Sequence, residues 1–222
     1  MTGHIYIVDD DTGFRKSLAG LVASVGFTVD QFADPLAIFA VTDLERPGCV
    51  ILDYRLPTLS GMQALVRLRS MSTIPIVLVS AFASVKIAVA AIHAGASMVF
   101  EKPLNDNEFI EMVEKLCVQD AGAIKLRDEC DSIRQRLATL TTFESAILDQ
   151  LLCNNGNKEI AHTFGKSVKT VERCRTQVLR KLGYPTLTAA LLACKVCSMQ
   201  NVSPMNCKGL CPALSWEKAI AI

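Results

Sequence analysis

The chain has 222 residues, 50% of them hydrophobic, and 23 Lys and Arg against 22 Asp and Glu leave a formal charge of only +1. That length and composition predict one or two domains with substantial cores. The N-terminal Met1-Thr2-Gly3-His4 lacks a basic region and no apolar run reaches membrane-span length, which argues against a secretory signal and a transmembrane helix and predicts a soluble, cytoplasmic chain with no membrane partner.

In chain order, His4 to Val8 is a predicted strand running into Asp9, Asp10 and Asp11. Phe14, Leu18, Leu21, Val22 and Val25 then recur at helical spacing, and Gly26 stops the pattern. Thr28 to Phe32 is the next strand and Pro35 to Val41 a short helix. The apolar run Cys49 to Leu52 ends on Asp53, followed by a turn carrying Pro57 and Gly61; this places Asp53 at a carboxyl-terminal strand edge, facing solvent. A helix over Gly61 to Leu68 leads to a strand at Pro75 to Val79 that runs into Ser80. Ser84 to Ala94 is a helix, Ser97 to Phe100 a strand running into Glu101, Lys102 and Pro103, and Asp106 to Cys117 a helix with Phe109, Ile110, Val113 and Leu116 on one face. Five strands alternating with five helices predict a doubly wound, flavodoxin-like α/β sheet.

In such a sheet ligands bind where the strand ends converge, and here those ends carry Asp9, Asp10, Asp53, Ser80 and Lys102. Asp53 on its own is equally a turn-starting residue. Together, clustered carboxylates repel one another unless a hard cation sits among them, and one or two carboxylates plus waters suit Mg2+. With these residues in view, residues 1 to about 118 resemble a response-regulator receiver domain: Asp9 and Asp10 match its acidic pair, Asp53 its phosphoacceptor, Ser80 its hydroxyl position, and Lys102-Pro103 its lysine and the cis-prolyl bond after it. The resemblance implies that Asp53 takes a phosphoryl group from a sensor histidine kinase, with Mg2+ held by Asp10, Asp53 and the Arg55 carbonyl and with Asp9 in support.

From Val118 to Thr139 the chain is polar with Ile124, Leu126, Ile133 and Leu137 spaced between charges of both signs, which reads as a linker helix able to pair with its copy in a dimer, or as a solvated tether. Thr141 with Glu144 forms a capping box for a helix through Cys153. A second helix covers Asn157 to Phe164, Gly165-Lys166 is a tight turn, and Ser167 caps a third helix reaching Leu182-Gly183. On that helix Val171, Cys174, Val178 and Leu182 form the apolar stripe. The opposite face carries Lys169, Glu172, Arg173, Thr176 and Arg180, which suits a major groove: Arg173 for a guanine edge, Glu172 for a cytosine amine, and Lys169, Arg175, Arg180 and Lys181 for phosphates. An ordinary solvated basic helix would carry the same charges.

Leu140-Thr141, Asn157-Lys158-Glu159-Ile160-Ala161, Thr170-Val171-Glu172 and Lys181-Leu182-Gly183 resemble the LuxR-type helix-turn-helix, and with the receiver they resemble a FixJ/NarL-type response regulator over residues 4 to about 198. The resemblance implies a two-component transcriptional regulator that binds double-stranded promoter DNA, works with RNA polymerase and dimerises at least when phosphorylated. It implies no enzymatic turnover beyond its own phosphoryl transfer and hydrolysis, and it brings Asn157, Lys158 and Thr170 into the expected DNA surface. The expected domains are 1–118, a linker helix 119–139, 140–199 and a tail 200–222. Charge agrees with this division, since residues 1 to 118 carry 9 basic and 13 acidic side chains whereas 140 to 200 carry 8 and 4. Rival readings are an Mg2+-dependent phosphohydrolase with an aspartate nucleophile and a degenerate receiver serving only as an interaction module.

Three positions depart from the family pattern. Lys166 replaces an apolar residue before the capping serine and is expected to snorkel outward, and Cys174 stands where histidine is common. Val99 occupies the place of an aromatic that swings inward on phosphorylation, while alternation puts Phe100 on the opposite face. Nine cysteines, an odd number set mostly in apolar segments, fit a reducing compartment. Cys194, Cys197, Cys207 and Cys211 have outer spacings like a zinc site, but burial on the last helix is the stronger expectation for the first pair.

Overall fold

The computed structural model describes residues 3–41, 44 and 46–200, with the backbone alone for 195–200. Two compact units divide the chain, Met1–Lys125 and Leu126–Ile222. The first alternates β1 (His4–Val8), α1 (Thr12–Ser24), β2 (Thr28–Phe32), α2 (Pro35–Phe39), β3 (Gly48–Asp53), α3 (Gly61–Met71), β4 (Ile76–Ser80), α4 (Val85–His93) and β5 (Met98–Glu101), followed by α5 (Asp106–Leu137). All strand pairs are parallel and the order is β2-β1-β3-β4-β5, so the doubly wound sheet expected from the alternation is present. Order reverses between β1 and β3, which puts the ends of those two strands on either side of a crevice.

Parallel strands bury both faces, and successive residues supply the two cores. Ile5, Ile7, Cys49, Ile51, Val77 and Val79 pack with Leu18 and Val22 of α1 and Phe109 and Val113 of α5. The alternate positions Tyr6, Val8, Val50, Leu52, Ile76 and Leu78 pack on the other face with Ile38, Leu65, Leu68 and Ala91. Val99 joins the second set and Phe100 the first, where it meets Phe109 edge-on at 5.6 Å. The two neighbours therefore face opposite sides of the sheet.

The sequence predicts a helix ending at Cys117 and a separate linker helix, whereas α5 is one helix of 32 residues. No proline interrupts it, and the single Gly122 costs only about 1 kcal/mol in a helix interior. Asp120 on α5 is fully buried and accepts from Arg46 Nε and Nη2 and from Gly48 N, which ties the helix to the start of β3.

The second unit holds α6 (Thr142–Leu152), α7 (Asn157–Thr163), α8 (Val168–Leu182) and α9 (Leu187–Gln200). Ile147, Leu151, Ile160, Val171, Cys174, Val178, Leu182 and Ala190 form its core. Ile133, which the spacing offered to a dimer seam, is buried with Cys130 of α5 and Cys194 of α9, and Leu137 packs against the same cluster. Ile133 and Leu137 are thus used within the chain, whereas Leu126 is exposed.

Candidate functional site

The carboxyl edge of the sheet is assembled by strand register. Asp9 follows β1, Asp53 ends β3 beside Val79, and Ser80 ends β4 beside Glu101. Lys102 directly follows β5, and its N–H donates to Ser80 O at 2.8 Å, which fixes the residue against β4. The Lys102–Pro103 bond is cis.

The Lys102 ammonium lies 2.7 Å from Asp9 Oδ2 and 2.7 Å from Asp53 Oδ1. Three of the residues expected at the site therefore meet in one ion cluster. Asp53 is buried rather than facing solvent as the sequence predicts, because the ammonium covers one oxygen and Arg55 N donates to the other at 2.6 Å. Its backbone is packed just as closely: a Cβ on Gly61 would come within 2.3 Å of Asp53 O, so only glycine lets α3 begin there.

Charge balance follows from burial. Desolvation pushes the Asp9 carboxyl above its ordinary pKa, although hydrogen bonds from Lys102 and Asp11 pull the other way. Burial alone would lower the Lys102 ammonium, but hydrogen bonds and attraction from Asp53 and Asp9 outweigh it and the net direction is up. One cation thus neutralises part of two carboxylates in a closed space.

Ser80 is buried beside the cluster, and its Oγ bonds within the following turn, donating to Phe82 O and accepting from Phe82 N, each at 3.2 Å. Asp10 is exposed next to Asp9, and Arg55 is exposed with its guanidinium 5.1 Å from the Phe82 ring centre. Among the described residues no three His, Cys, Asp or Glu side chains gather as a metal cage. The expected set is instead the carboxylates of Asp10 and Asp53 with the Arg55 carbonyl. Such hard oxygen donors fit Mg2+, which usually takes one or two carboxylates and fills its other positions with water and phosphoryl oxygens.

Sequence reasoning missed one participant. Phe14, read as part of the α1 core stripe, has its ring centre 3.9 Å from Lys102 Nζ. An aromatic in the first turn after an acidic triplet was the available signal.

In the second unit, α7, a turn with Gly165 at φ 60° and α8 form a helix-turn-helix. Ser167 caps α8 by accepting from Thr170 N at 3.1 Å, and the two hydroxyls bond at 2.8 Å. The stripe Val171, Cys174, Val178 and Leu182 is buried as expected, while Lys169, Thr170, Glu172, Arg173, Thr176 and Arg180 are exposed and Arg175 is half-buried. Lys158 is exposed, Asn157 half-buried, and Lys166 points to solvent. Lys181, expected on phosphates, has its ammonium 2.6 Å from Glu144 Oε2 and donates to Thr139 O at 3.1 Å. The Lys181 hydrogen bond and the Thr141 N–H hold the Glu144 carboxyl below its ordinary range. In this structure the Lys181 ammonium fastens the start of α6 to the end of α8.

Cys194 is buried and belongs to the apolar cluster, with desolvation raising its thiol pKa. Cys207, Cys211 and the side chain of Cys197 lie outside the described residues, as does the tail. Among the described residues no helix is long and apolar enough to cross a membrane.

A flavodoxin-like parallel sheet with an acidic crevice closed by lysine, followed by a helix-turn-helix, defines a receiver joined to a nucleic-acid-binding type of domain. Residues 5–114 match the response regulator receiver domain family. The FixJ transcriptional regulatory protein of Bradyrhizobium diazoefficiens is 34% identical over 181 residues, covering 81% of this chain and 88% of that protein. The C4-dicarboxylate transport transcriptional regulatory protein DctR of Rhodobacter capsulatus is 32% identical, covering 82% and 94%. Among solved structures, the response regulator StyR aligns with a TM-score of 0.75 at 28% identity, over 86% of this chain and 98% of that one. Full-length FixJ from B. japonicum aligns with a TM-score of 0.54 at 33% identity, over 89% and 98%. The chain belongs to the response regulators of the FixJ type.

Proposed function

We propose that this protein is a DNA-binding transcriptional regulator of a two-component system, switched by phosphorylation of Asp53 by a sensor histidine kinase. The observation that carries the reading is the single Lys102 ammonium shared between Asp53 and Asp9 at the carboxyl edge of the sheet. A buried carboxylate with one oxygen on an ammonium and the other on a backbone N–H is held in one orientation, as an attacking nucleophile requires.

In the phosphoryl transfer, an Asp53 oxygen attacks phosphorus and the donor's nitrogen or oxygen leaves in line. Lys102 then exchanges an acidic partner for a phosphoryl oxygen, and Ser80 releases its turn contacts to donate to another. Mg2+ held by Asp10, Asp53 and the Arg55 carbonyl, with Asp9 in support, would supply neutralisation of the charge on the transferring group. The protein acts on no other substrate in this reading.

On the DNA side, Lys169, Thr170, Glu172, Arg173, Arg175, Thr176 and Arg180 of α8 enter the major groove of double-stranded promoter DNA, with Asn157 and Lys158 of α7 near the backbone. A second copy pairs through α4, the Val99 strand and the Asp106 to Cys117 stretch of α5. Val85, Val89, Ile92 and Met98 are exposed apolar side chains of α4 and β5, and they support that face. The dimer presents two recognition helices to DNA and, in turn, to RNA polymerase.

Intact mass after incubation with acetyl phosphate and Mg2+ tests the reading. One lasting phosphoryl group on the wild type and none on Asp53→Asn is expected. Rapid turnover of the donor without a labelled protein would indicate a hydrolase, and absence of labelling with the fold intact would indicate an interaction module.

A further inference from the structure

Phe14 stands where a closed circuit of contacts meets the Lys102 head. Asp9 Oδ1 accepts from Asp11 N at 2.8 Å. Asp11 Oδ1 in turn accepts from Gly13 N at 2.8 Å and Phe14 N at 3.1 Å, which caps α1 and fixes its first turn. The Phe14 ring, packed against the α1–α5 core, presents a face 3.9 Å from Lys102 Nζ, and Lys102 returns to Asp9 Oδ2 at 2.7 Å. The Asp11 cap and the packing of Phe14 against the core hold the ring in place, and the ion pairs to Asp9 and Asp53 hold the ammonium beside it.

We infer that Phe14 is a positioning residue for Lys102 in phosphoryl transfer, holding the ammonium through the π face of its ring. This rests on the reading of Asp53 as phosphoacceptor. A lysine head on a four-carbon stem has many rotamers, and an aromatic face attracts a cation without accepting a conventional hydrogen bond. When a phosphoryl group forms on Asp53, Lys102 must change hydrogen-bond partners. Carboxylates on every side would resist that exchange; a ring on one side keeps the head in place and leaves its N–H donors free to move. The aromatic side chain thereby lets one ammonium serve two states of the site from nearly the same position.

The test begins with the wild type and no metal or phosphoryl donor. Ring current should shift the Lys102 ε-methylene protons upfield of those of the exposed lysines in the NMR spectrum; an unshifted Lys102 would overturn the inference even if no variant folded. The variants are Phe14→Leu, which keeps apolar bulk without the π face, and Phe14→Tyr, which restores the face. With acetyl phosphate and Mg2+, Phe14→Leu should label about 2-fold to 30-fold more slowly than wild type, the span a lost cation–π contact covers, and should weaken beryllofluoride binding by a similar factor. Phe14→Tyr should stay within about 2-fold of wild type on both measures, below the lower end of that span. Equal labelling in Phe14→Leu, or Phe14→Tyr no better than Phe14→Leu, refutes the role of the ring. A wild type that takes no label refutes the phosphoacceptor reading instead.

Discussion

Removing the one cation between Asp9 and Asp53 gives the sharpest account of what holds the cleft together. Lys102→Met keeps an unbranched stem and deletes the ammonium, leaving two buried carboxylates facing each other. Breaking a buried ion pair costs about 3 to 5 kcal/mol. The lower end applies here, because the Lys102 side chain is itself 21% exposed and water can enter as it leaves. For a unit of this size a loss of about 3 kcal/mol lowers Tm by roughly 10 °C. The deficit should depend on pH. Burial already raises the Asp9 pKa in the folded state, despite the Lys102 hydrogen bond, and loss of that bond raises it further. A carboxyl raised on folding contributes its stability fully below its unfolded pKa and loses it as pH rises through the folded value. The variant should therefore approach wild type in acid and fall behind as pH climbs toward neutrality. Mg2+ should offset part of the deficit, by about 1.4 kcal/mol at ten times its dissociation constant, and more for the variant than for wild type. Urea unfolding followed by circular dichroism at several pH values, with and without Mg2+, measures all of this. A variant as stable as wild type at neutral pH would show that Asp9 and Asp53 do not depend on a shared counter-ion.

Asp120→Ala strands the Arg46 guanidinium and the Gly48 N–H, and should cost about 3 to 5 kcal/mol in urea unfolding; under about 1 kcal/mol would mean that Arg46 simply turns to solvent. Arg173→Ala should cost about 1 to 3 kcal/mol of DNA affinity and relax one base position, whereas Lys169→Ala should weaken all sites alike and flatten the salt dependence. Lys181→Ala should leave that salt dependence unchanged and lower the melting temperature of the helix-turn-helix unit, since its ammonium is bonded to Glu144 and Thr139; a reduced salt slope would return it to the DNA surface. Val99→Phe should sharpen the monomer–dimer switch in sedimentation with and without beryllofluoride. A wild type wholly monomeric before and wholly dimeric after would mean that valine at this position does not loosen the coupling.

Element order and the acidic crevice were readable because each rests on local pattern. Apolar runs ending in polar residues gave the strands, and caps such as Thr141 with Glu144 and Ser167 gave helix starts to within a residue. What escaped depends on contacts distant in sequence. Nothing local tells that Asp120 lies against Arg46, 74 residues away, so the tie between α5 and the start of β3 was not legible. Lys181 was offered to phosphates as one of the basic residues of the third helix, and a charge count along a helix cannot show that Glu144 comes within 2.6 Å of it. The solvent-facing position expected for Asp53 failed for the same reason, since the strand edge is open only until Lys102 folds over it.

The way these contacts are distributed bears on how a signal could leave the cleft. Lys102 reaches Asp9 and Asp53 with its side chain and Ser80 with its backbone, so its head bears on the ends of β1 and β3 while its main chain is fixed to β4. Ser80 connects to the β4–α4 turn through Phe82, and the α4 that follows carries exposed Val85, Val89 and Ile92 and only Ala91 fully buried. A helix with so little buried side chain is weakly held, and its shifts cost correspondingly little. Val99 packs on the face of the sheet that α4 covers, while Phe100 is locked against Phe109 on the other. A β-branched valine offers few rotamers through which to transmit motion. The loosely held element in this site is thus α4 itself, and a phosphoryl group acting through Ser80 would move the helix rather than flip an aromatic side chain.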